Sequence, residues 1–412
     1  MKQKTFSGYE IFVVAILTIL QFTLILDFMV MSPLGPFLMP DLHITPQQFG
    51  MVVSAYAFSA GLSGILAAGY ADKYDRKKLL LFFYVGFIVG TLFCGLATTY
   101  PQLLAARIVT GIFGGVIGSI NFAIITDLFR IEVRGRVMGF VQMAFAASQV
   151  LGLPIGLYLA NLWGWHSPFI MIVTVSLVVM GAIIIYLRPI DEHLRIKSDN
   201  NAFVHLAKTA SNSDYLKTFM ATTLLATGGF MMMPFGTVFG VNNLKLAPES
   251  LPLLYTITGA FTIFLGPLVG KLSDGWGKYP TFFAGSVLMT IIVVIYCNLG
   301  ITPLWLVVIF NVIMFAGITA RMISSQALLS AVPEQSDRGA FMSINSSVQQ
   351  ISGGIATYIA GLIVVQAPSG ELLHYDTLGY VVSVSIFITI VLIWFVNQRV
   401  MRKLAVTPIP LQ

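Results

Sequence analysis

The sequence predicts an all-α membrane protein: twelve transmembrane helices in two pseudo-symmetric six-helix bundles, with both termini in the cytoplasm. Long apolar runs, positive charge confined to alternate gaps, and short motifs repeated about 200 residues apart carry that prediction. The chain is 57% hydrophobic and 10% charged over 412 residues, which leaves little sequence for a soluble domain. A helix needs about 20 apolar residues to cross a hydrocarbon core of ~30 Å. In lipid the backbone must satisfy itself, so runs of this length are helices and not the roughly ten-residue alternating strands of a barrel.

Taken in order, the first six spans are Ile11–Met31, Phe49–Ala71, Leu79–Ala97, Leu103–Leu128, Val137–Leu162 and Phe169–Leu187. The second six are Leu216–Val241, Leu251–Leu272, Phe282–Leu299, Leu304–Ala331, Ala340–Val365 and Leu378–Val396. The first run is too long for the core of a cleaved signal peptide and exits through Pro33-Leu-Gly-Pro36 without a small-residue cleavage site, so it reads as a span. Sidedness follows from charge. Lys2, Lys4, Lys73, Arg76, Lys77, Lys78, Arg130, Arg134 and Arg136 fall on one side of the first half. Arg188, Arg195, Lys197, Lys208, Lys217, Lys271, Lys278, Arg338, Arg399, Arg402 and Lys403 continue that side, while the opposite gaps hold only Lys245. The positive-inside rule places the basic side, and with it both termini, in the cytoplasm.

The longest gap, from Arg188 to Lys217, is polar and charged. It divides a first bundle at 1–190 from a second at 215–412 with a short tail, and leaves 191–214 as a cytoplasmic linker. Within it Ala202–Ala210 reads as a short amphipathic helix on the membrane surface. Cys94 and Cys297 lie inside apolar runs and are packing residues, not a disulfide framework. The net charge of +6 is accounted for by basic loops beside anionic headgroups and requires no nucleic acid. Without a phosphate-binding loop or a zinc-protease motif, neither intrinsic ATP hydrolysis nor metal-assisted hydrolysis is supported, and no cofactor, metal or enzymatic role is expected.

Internal echoes indicate duplication. Ala68-Gly-Tyr-Ala-Asp72-Lys-Tyr-Asp75-Arg76-Lys77 follows the second span, and Gly270-Lys-Leu-Ser-Asp274-Gly-Trp-Gly277-Lys278 follows the eighth. Arg134-Gly-Arg-Val-Met138 is matched by Arg338-Gly-Ala-Phe-Met342, and Phe28-Met-Val-Met-Ser-Pro33 by Phe230-Met-Met-Met-Pro234. Three matches in register fit two related bundles around a shared cavity.

On these residues the chain resembles a major facilitator superfamily transporter across nearly its whole length, and in particular the twelve-span drug/proton antiporter branch. The loop after the second span is similar to the family's G-x-x-x-D-x-x-G-R-K signature, with Ala68 at the first glycine and Asp75 at the second; the second copy keeps Gly270 and Gly277. Arg107-Ile-Val-Thr-Gly111-Ile-Phe-Gly-Gly115 is similar to the family's RxxxG segment, and Gly152-Leu-Pro154-Ile-Gly156 to the Gly-Pro motif associated with antiporters. The resemblance implies gating roles for Asp72, Arg76, Lys77, Asp127, Asp274, Gly277, Gly152, Pro154 and Gly156. Asp72 would engage a helix N-terminus of the other half, and Arg76 would pair with Asp127. It also implies a monomer.

Asp27, Arg107 and Arg321 stand within spans, where a charge costs at least about 2.5–3.5 kcal/mol and should face a cavity or a partner. A buried carboxyl can bind a proton on one side and release it on the other, so Asp27 is the candidate proton carrier; the fixed charge of Arg107 suits tuning a neighbouring acid, holding a substrate oxyanion or bracing helices, and the resemblance implies that it modulates the proton path. A permanent ion pair with a buried arginine, or direct contact with a cationic substrate, are the other readings of Asp27. Arg321 has no counterpart in the first half and suits an anionic or zwitterionic group, or a structural role. No histidine lies in a span, so a histidine relay is excluded. Gln21, Asn121, Gln142, Gln149, Asn311, Gln326, Asn345 and Gln349 are the polar candidates for a largely apolar substrate cavity.

The expected function is secondary active transport by alternating access: proton-coupled antiport, as efflux, of a small amphipathic organic compound. A proton symporter or uncoupled facilitator of a metabolite or lipid-like anion is the alternative on the same fold, and a transport-inactive membrane sensor is the alternative of another class. The expected partners are a small-molecule substrate, protons and membrane lipids, and the expected location is a bacterial inner membrane.

Overall fold

The computed structural model describes residues 6–67, 74–191, 194, 202–334 and 337–406. Ser7 starts the first helix, α1 (Gly8–Val30), by a reciprocal cap: its hydroxyl accepts from Glu10 N while the Glu10 carboxylate accepts from Ser7 N at 2.7 Å. The chain then turns into a short helix, α2 (Gly35–Asp41), before α3 (Pro46–Ala67), α4 (Arg76–Leu96) and α5 (Tyr100–Leu128) cross back and forth. We call the face where α1 begins the terminal face and the opposite one the far face.

The fifth span is not a regular helix. α6 (Ile131–Ala147) passes through a π turn at Ser148–Gly152 into α7 (Leu153–Trp163). Pro154 has no N–H to donate and sits in the first turn of α7, where the loss is tolerated, while the wider turn absorbs the change of helix. α8 (Ser167–Tyr186) completes the first set of helices. α9 (Ala202–Ala210) occupies the linker, at the residues where the sequence predicts a helix.

The second set is α10 (Ser213–Phe230), a short α11 (Gly236–Asn242), α12 (Leu251–Trp276), α13 (Lys278–Cys297), α14 (Leu304–Ser330), α15 (Arg338–Ile363) and α16 (Tyr375–Val406). A two-residue β-ladder, β1 (Val365–Gln366) with β2 (Leu372–Leu373), ties the turn between α15 and α16. The first helix ends at Val30, beside the Met31 end that the sequence predicts, and α2 follows; the seventh, predicted to run to Val241, instead breaks at Phe230 and is followed by α11, and α2 and α11 pack on each other. Pro33 and Pro234 stand at those breaks, as expected where the N–H needed to continue a helix is missing.

Among the described residues ten helices are long and apolar enough to cross a membrane, by length and composition. α10 and α15 are of spanning length but more polar, α15 because Ser343, Ser346, Ser347 and Gln350 recur on one of its faces. α15 packs along α3, α12 packs on α7 and the π turn, and α11 packs on α2, so these three seams join the two sets of helices. The seams meet at the far face: Ser32 donates to the Met233 carbonyl, and Phe28 and Phe49 lie 5.8 Å and 6.0 Å from Phe230 and Phe235. Asn161 Nδ2 donates to the Pro248 carbonyl at 3.3 Å in the same region. Small residues permit the approach: a Cβ on Gly361 would stand 3.1 Å from the Pro46 carbonyl, and one on Gly50 3.1 Å from the Thr357 carbonyl.

Candidate functional site

Asp27 lies one turn from the far end of α1, and Arg107 lies two turns into α5 from the same face. Both side chains are 0% exposed, and Arg107 Nη1 donates to Asp27 Oδ2 at 2.8 Å. The same Nη1 reaches the Asp27 carbonyl at 3.4 Å, and Thr91 of α4 donates its hydroxyl to Asp27 Oδ1 at 3.1 Å. Tyr56 of α3 supplies the fourth wall, its ring centroid 4.5 Å from the guanidinium carbon. Arg107 Nε and Nη2 have no hydrogen-bond partner among the described residues. The pair is therefore neutral in sum but leaves two donors unsatisfied.

Four helices converge here because their contact faces are nearly bare. A Cβ on Gly111 would stand 2.5 Å from the Tyr56 carbonyl, and one on Gly114 2.9 Å from the Tyr56 hydroxyl. The glycines of the RxxxG segment thus bring α5 onto α3 and set the guanidinium over the ring. Gly152 does the same for α1 and the π turn: a Cβ there would meet Leu26 Cδ1 at 2.6 Å. Gly156 packs on Val30 in the same way, with 3.3 Å to its Cγ2. Asp27 is thereby flanked by Leu26, which touches the antiporter-type Gly-Pro segment, and Phe28, which lies 5.5 Å from Tyr56 and 5.8 Å from Phe230 of the second set.

At the terminal face Arg76 Nε donates to Asp127 Oδ2 at 3.0 Å, joining α4 to the end of α5. Asp72 falls outside the described residues. Lys77 Nζ donates to the Ile184 carbonyl at 2.9 Å. Asp75, which stands where the family signature has its second glycine, caps α4 by accepting from Lys78 N at 3.0 Å and also accepts from Ile190 N at 3.1 Å. Its φ of −54° is open to any residue, whereas Gly277 in the second copy has φ +109° and ψ 151°, a region essentially reserved for glycine. The two loops therefore turn by different means, which is why one copy keeps its glycine and the other does not. Asp274 is exposed near the end of α12. Arg134 closes the first-half echo by donating Nε to the Phe129 carbonyl at 2.9 Å, satisfying the end of α5.

The polar cavity candidates do not share one surface. Asn121 donates to Gln21 Oε1 at 3.0 Å across α5 and α1, and Asn345 accepts from Thr222 at 2.6 Å across α15 and α10. Asn311 donates to Val307 of its own helix at 2.9 Å. Gln149 is buried in the π turn with Oε1 unpartnered, Gln142 and Gln326 are exposed, and Gln349 is half-buried. One polar gap between the two sets, of about 50 Å³, is lined by Gly64, Gly115, Ser119, Ser343, Ser347 and Gln350 among others. None of the eight candidates lines it. The spacing of Ser343, Ser346, Ser347 and Gln350 at i, i+3, i+4 and i+7 was the signal that would have found it.

Arg321 lies inside the second set of helices, 3% exposed. Its Nη1 donates to Met289 Sδ at 3.0 Å and its guanidinium carbon stands 5.7 Å from the Phe282 ring, both on α13. No titratable cluster of three or more metal-ligating groups occurs among the described residues.

The paired spans and the seams between them describe a multi-pass helical membrane protein built of two matched halves. The family model described as Major Facilitator Superfamily matches residues 17–357 and 218–409. The chain belongs to that superfamily, whose members move small-molecule substrates. It is 27% identical over 372 residues to the uncharacterized MFS-type transporter YceJ of Bacillus subtilis (strain 168), covering 88% of this chain and 92% of that protein. Multidrug resistance protein 3 of the same organism is 33% identical over 152 residues, 37% of this chain and 30% of that one. Among solved structures, a bacterial homologue of the human lysosomal transporter Spinster, in an inward-facing and occupied conformation, superposes with a TM-score of 0.75 at 14% identity. That match covers 96% of this chain and 98% of the other. The nucleoside transporter NupG gives a TM-score of 0.74 at 14% identity over 93% and 98% of the two chains. At these identities the structural matches speak to the fold.

Proposed function

We propose that the chain is a proton-coupled antiporter that exports a small amphipathic organic compound by alternating access across a bacterial cell membrane. The reading divides it into bundles at 1–190 and 215–412 and puts both termini in the cytoplasm. The observation that carries it is the position of the Asp27–Arg107 pair: wholly buried, yet one residue from the Phe28–Phe230 contact where the two sets of helices meet. Protonating Asp27 removes the charge that holds Arg107 Nη1 and frees the guanidinium toward Tyr56. The flanking residues Leu26 and Phe28 pass that change to the π turn and to α10, so the state of one carboxyl biases the far-face seam. Two directions of supporting likeness exist: the antiporter-type Gly-Pro segment packs directly on Leu26, and a multidrug resistance protein is among the relatives.

In the resulting cycle the proton and the substrate occupy the protein in turn. With Asp27 charged and paired, the far face is held closed as seen here; substrate enters the gap beside Ser343–Gln350 from the terminal face. Bound substrate then opens the far-face seam and leaves there; Asp27 takes up a proton from the far side, and the protonated, empty protein returns to the far-face-closed state and releases the proton at the terminal face. The test is collapse of a preformed proton gradient in everted vesicles by organic cations, neutral amphiphiles and anions, comparing wild type with Asp27→Asn. A compound-dependent proton leak in wild type that is lost in Asp27→Asn is the expected result. Movement of a labelled compound with no proton leak in wild type refutes the coupling and favours a facilitator.

A further inference from the structure

We infer that Arg321 anchors an anionic group of the transported compound, so that the substrate is an amphiphile carrying a carboxylate, sulfonate or phosphate. The inference rests on the transport reading above and adds to it the charge class of the cargo. Its basis is an unmet electrostatic demand. Arg321 is 3% exposed, and its Nε and Nη2 have no hydrogen-bond partner among the described residues. Among the described residues its one hydrogen bond is to a thioether, a weak acceptor. The Phe282 ring at 5.7 Å offers quadrupole attraction but no counter-charge. The contrast with Arg107 is direct, since that side chain is equally buried but meets a carboxylate at 2.8 Å. A guanidinium withdrawn from water is stable when a hydrogen-bonded anion repays its lost hydration. No carboxylate of the described residues pairs with it, and the Lys245–Glu371 pair of the second set lies at the far face.

Two further features surround the same guanidinium. Ser286 lies on the α13 face that carries Phe282 and Met289, and its hydroxyl is buried without a partner. A hydroxyl donor on the helix face that packs against a planar fork of N–H groups matches an oxyanion better than a cation or a neutral ring. On the opposite side α10 passes the guanidinium at Gly228, where a Cβ would stand 3.6 Å from Nη1 and 3.9 Å from Nη2. The neighbouring Gly229 is exposed, with nothing within 4 Å of the place a side chain would take. At Gly228, therefore, α10 puts no side chain on the guanidinium, and Ile386 of α16 stands 3.6 Å from the same point. In the bound state the acidic group of the compound approaches past Gly228 and its apolar body lies among Phe230 of α10 and Met231–Met233 of the turn that follows. The residue acts in binding and takes no part in proton transfer.

The test uses naphthylacetate, naphthylacetamide and naphthylethylamine, which share an apolar body and differ in charge, on purified full-length protein in nanodiscs. Binding is read by equilibrium dialysis and flux by uptake into proteoliposomes. The acid is expected to bind at least about tenfold more tightly than the amide or the amine, as charge-assisted pairing requires. In Arg321→Met that preference disappears, the acid binding no more tightly than the amide; Arg321→Lys retains part of it. Gly228→Val, which leaves the charge in place but covers it, also removes the preference, and it decides the matter if the Arg321 variants fail to fold. Equal binding of acid and amide in wild type, binding of none of the three, or a preference that survives Arg321→Met overturns the proposal. Flux separates the two levels. Uptake of the amide or amine without preference for the acid ends the anion site and keeps the transporter. Preferential binding of the acid with no flux of any probe keeps the site and ends the transport reading.

Discussion

Replacing Asp27 by Asn keeps the shape of the side chain and removes its charge, leaving Arg107 buried against a neutral amide. In the native protein the guanidinium relies on one carboxylate contact at 2.8 Å, one carbonyl at 3.4 Å and a ring at 4.5 Å, with Nε and Nη2 already unpartnered. Breaking a buried pair from one side typically costs about 3–5 kcal/mol, because the surviving charge is left without its counter-ion. The ring contact persists in the variant and so offsets nothing new. Removing both charges, in Asp27→Asn with Arg107→Gln, takes away the stranded charge as well. The double variant should therefore be more stable than Asp27→Asn alone, with a coupling energy of about 2–3 kcal/mol. Equilibrium unfolding in mixed detergent micelles, followed by tryptophan fluorescence, measures all four species. A loss below about 1 kcal/mol in Asp27→Asn, or a double variant less stable than either single one, would show that the two groups are not held as an ion pair.

Three further outcomes follow from the packing. Gly115→Ala places a Cβ against the backbone of Ala60 and should destabilise by about 1–3 kcal/mol, whereas Gly118→Ala, where nothing lies within 4 Å, should be neutral; paired melting temperatures check this. Gly277→Ala should cost about 1–3 kcal/mol because of its φ of +109°, while Asp75→Ala should lose about 1 kcal/mol of helix cap, both read by thermal unfolding. Cysteines at Gly35 and Val238, where a Cβ on the first would meet the second at 2.6 Å, should cross-link the far face and stop transport until a reductant is added. Transport that continues in the cross-linked protein would show that this seam does not open in the cycle.

Much of the fold was legible because lipid makes sequence plain: apolar length and one-sided charge each report a span. Its breaks were less so. The exit of the first span was marked by Pro33 and Pro36, but the seventh carries its Phe-Met repeat inside an apolar run, so hydropathy continues through the turn that creates α11. The π turn before Pro154 is equally silent, since it changes hydrogen bonding and not composition. At the candidate site, Asp27 and Arg107 stood out as charges in apolar surroundings, and their pairing across 80 positions needed the fold. Thr91 and Tyr56 gave no signal. Hydroxyls in these spans mostly bond their own helix, as Thr18 does to Val14 and Thr110 to Ala106, so a threonine in a span is uninformative until its rotamer is seen. Arg321 was visible as a charge, but that it lies among Met289, Phe282 and Gly228 depended on which side of α14 faces inward.

The central claim is that substrate and proton compete through Asp27. Its most direct measurement is the release of protons when purified wild type and Asp27→Asn bind a transported compound in weakly buffered detergent solution. Linkage predicts that wild type releases up to about one proton per protein, with the amount falling as pH rises through the range where Asp27 is already ionised, and that Asp27→Asn releases none. Equal release from the two proteins, or binding to wild type with no release at any pH, would contradict the account.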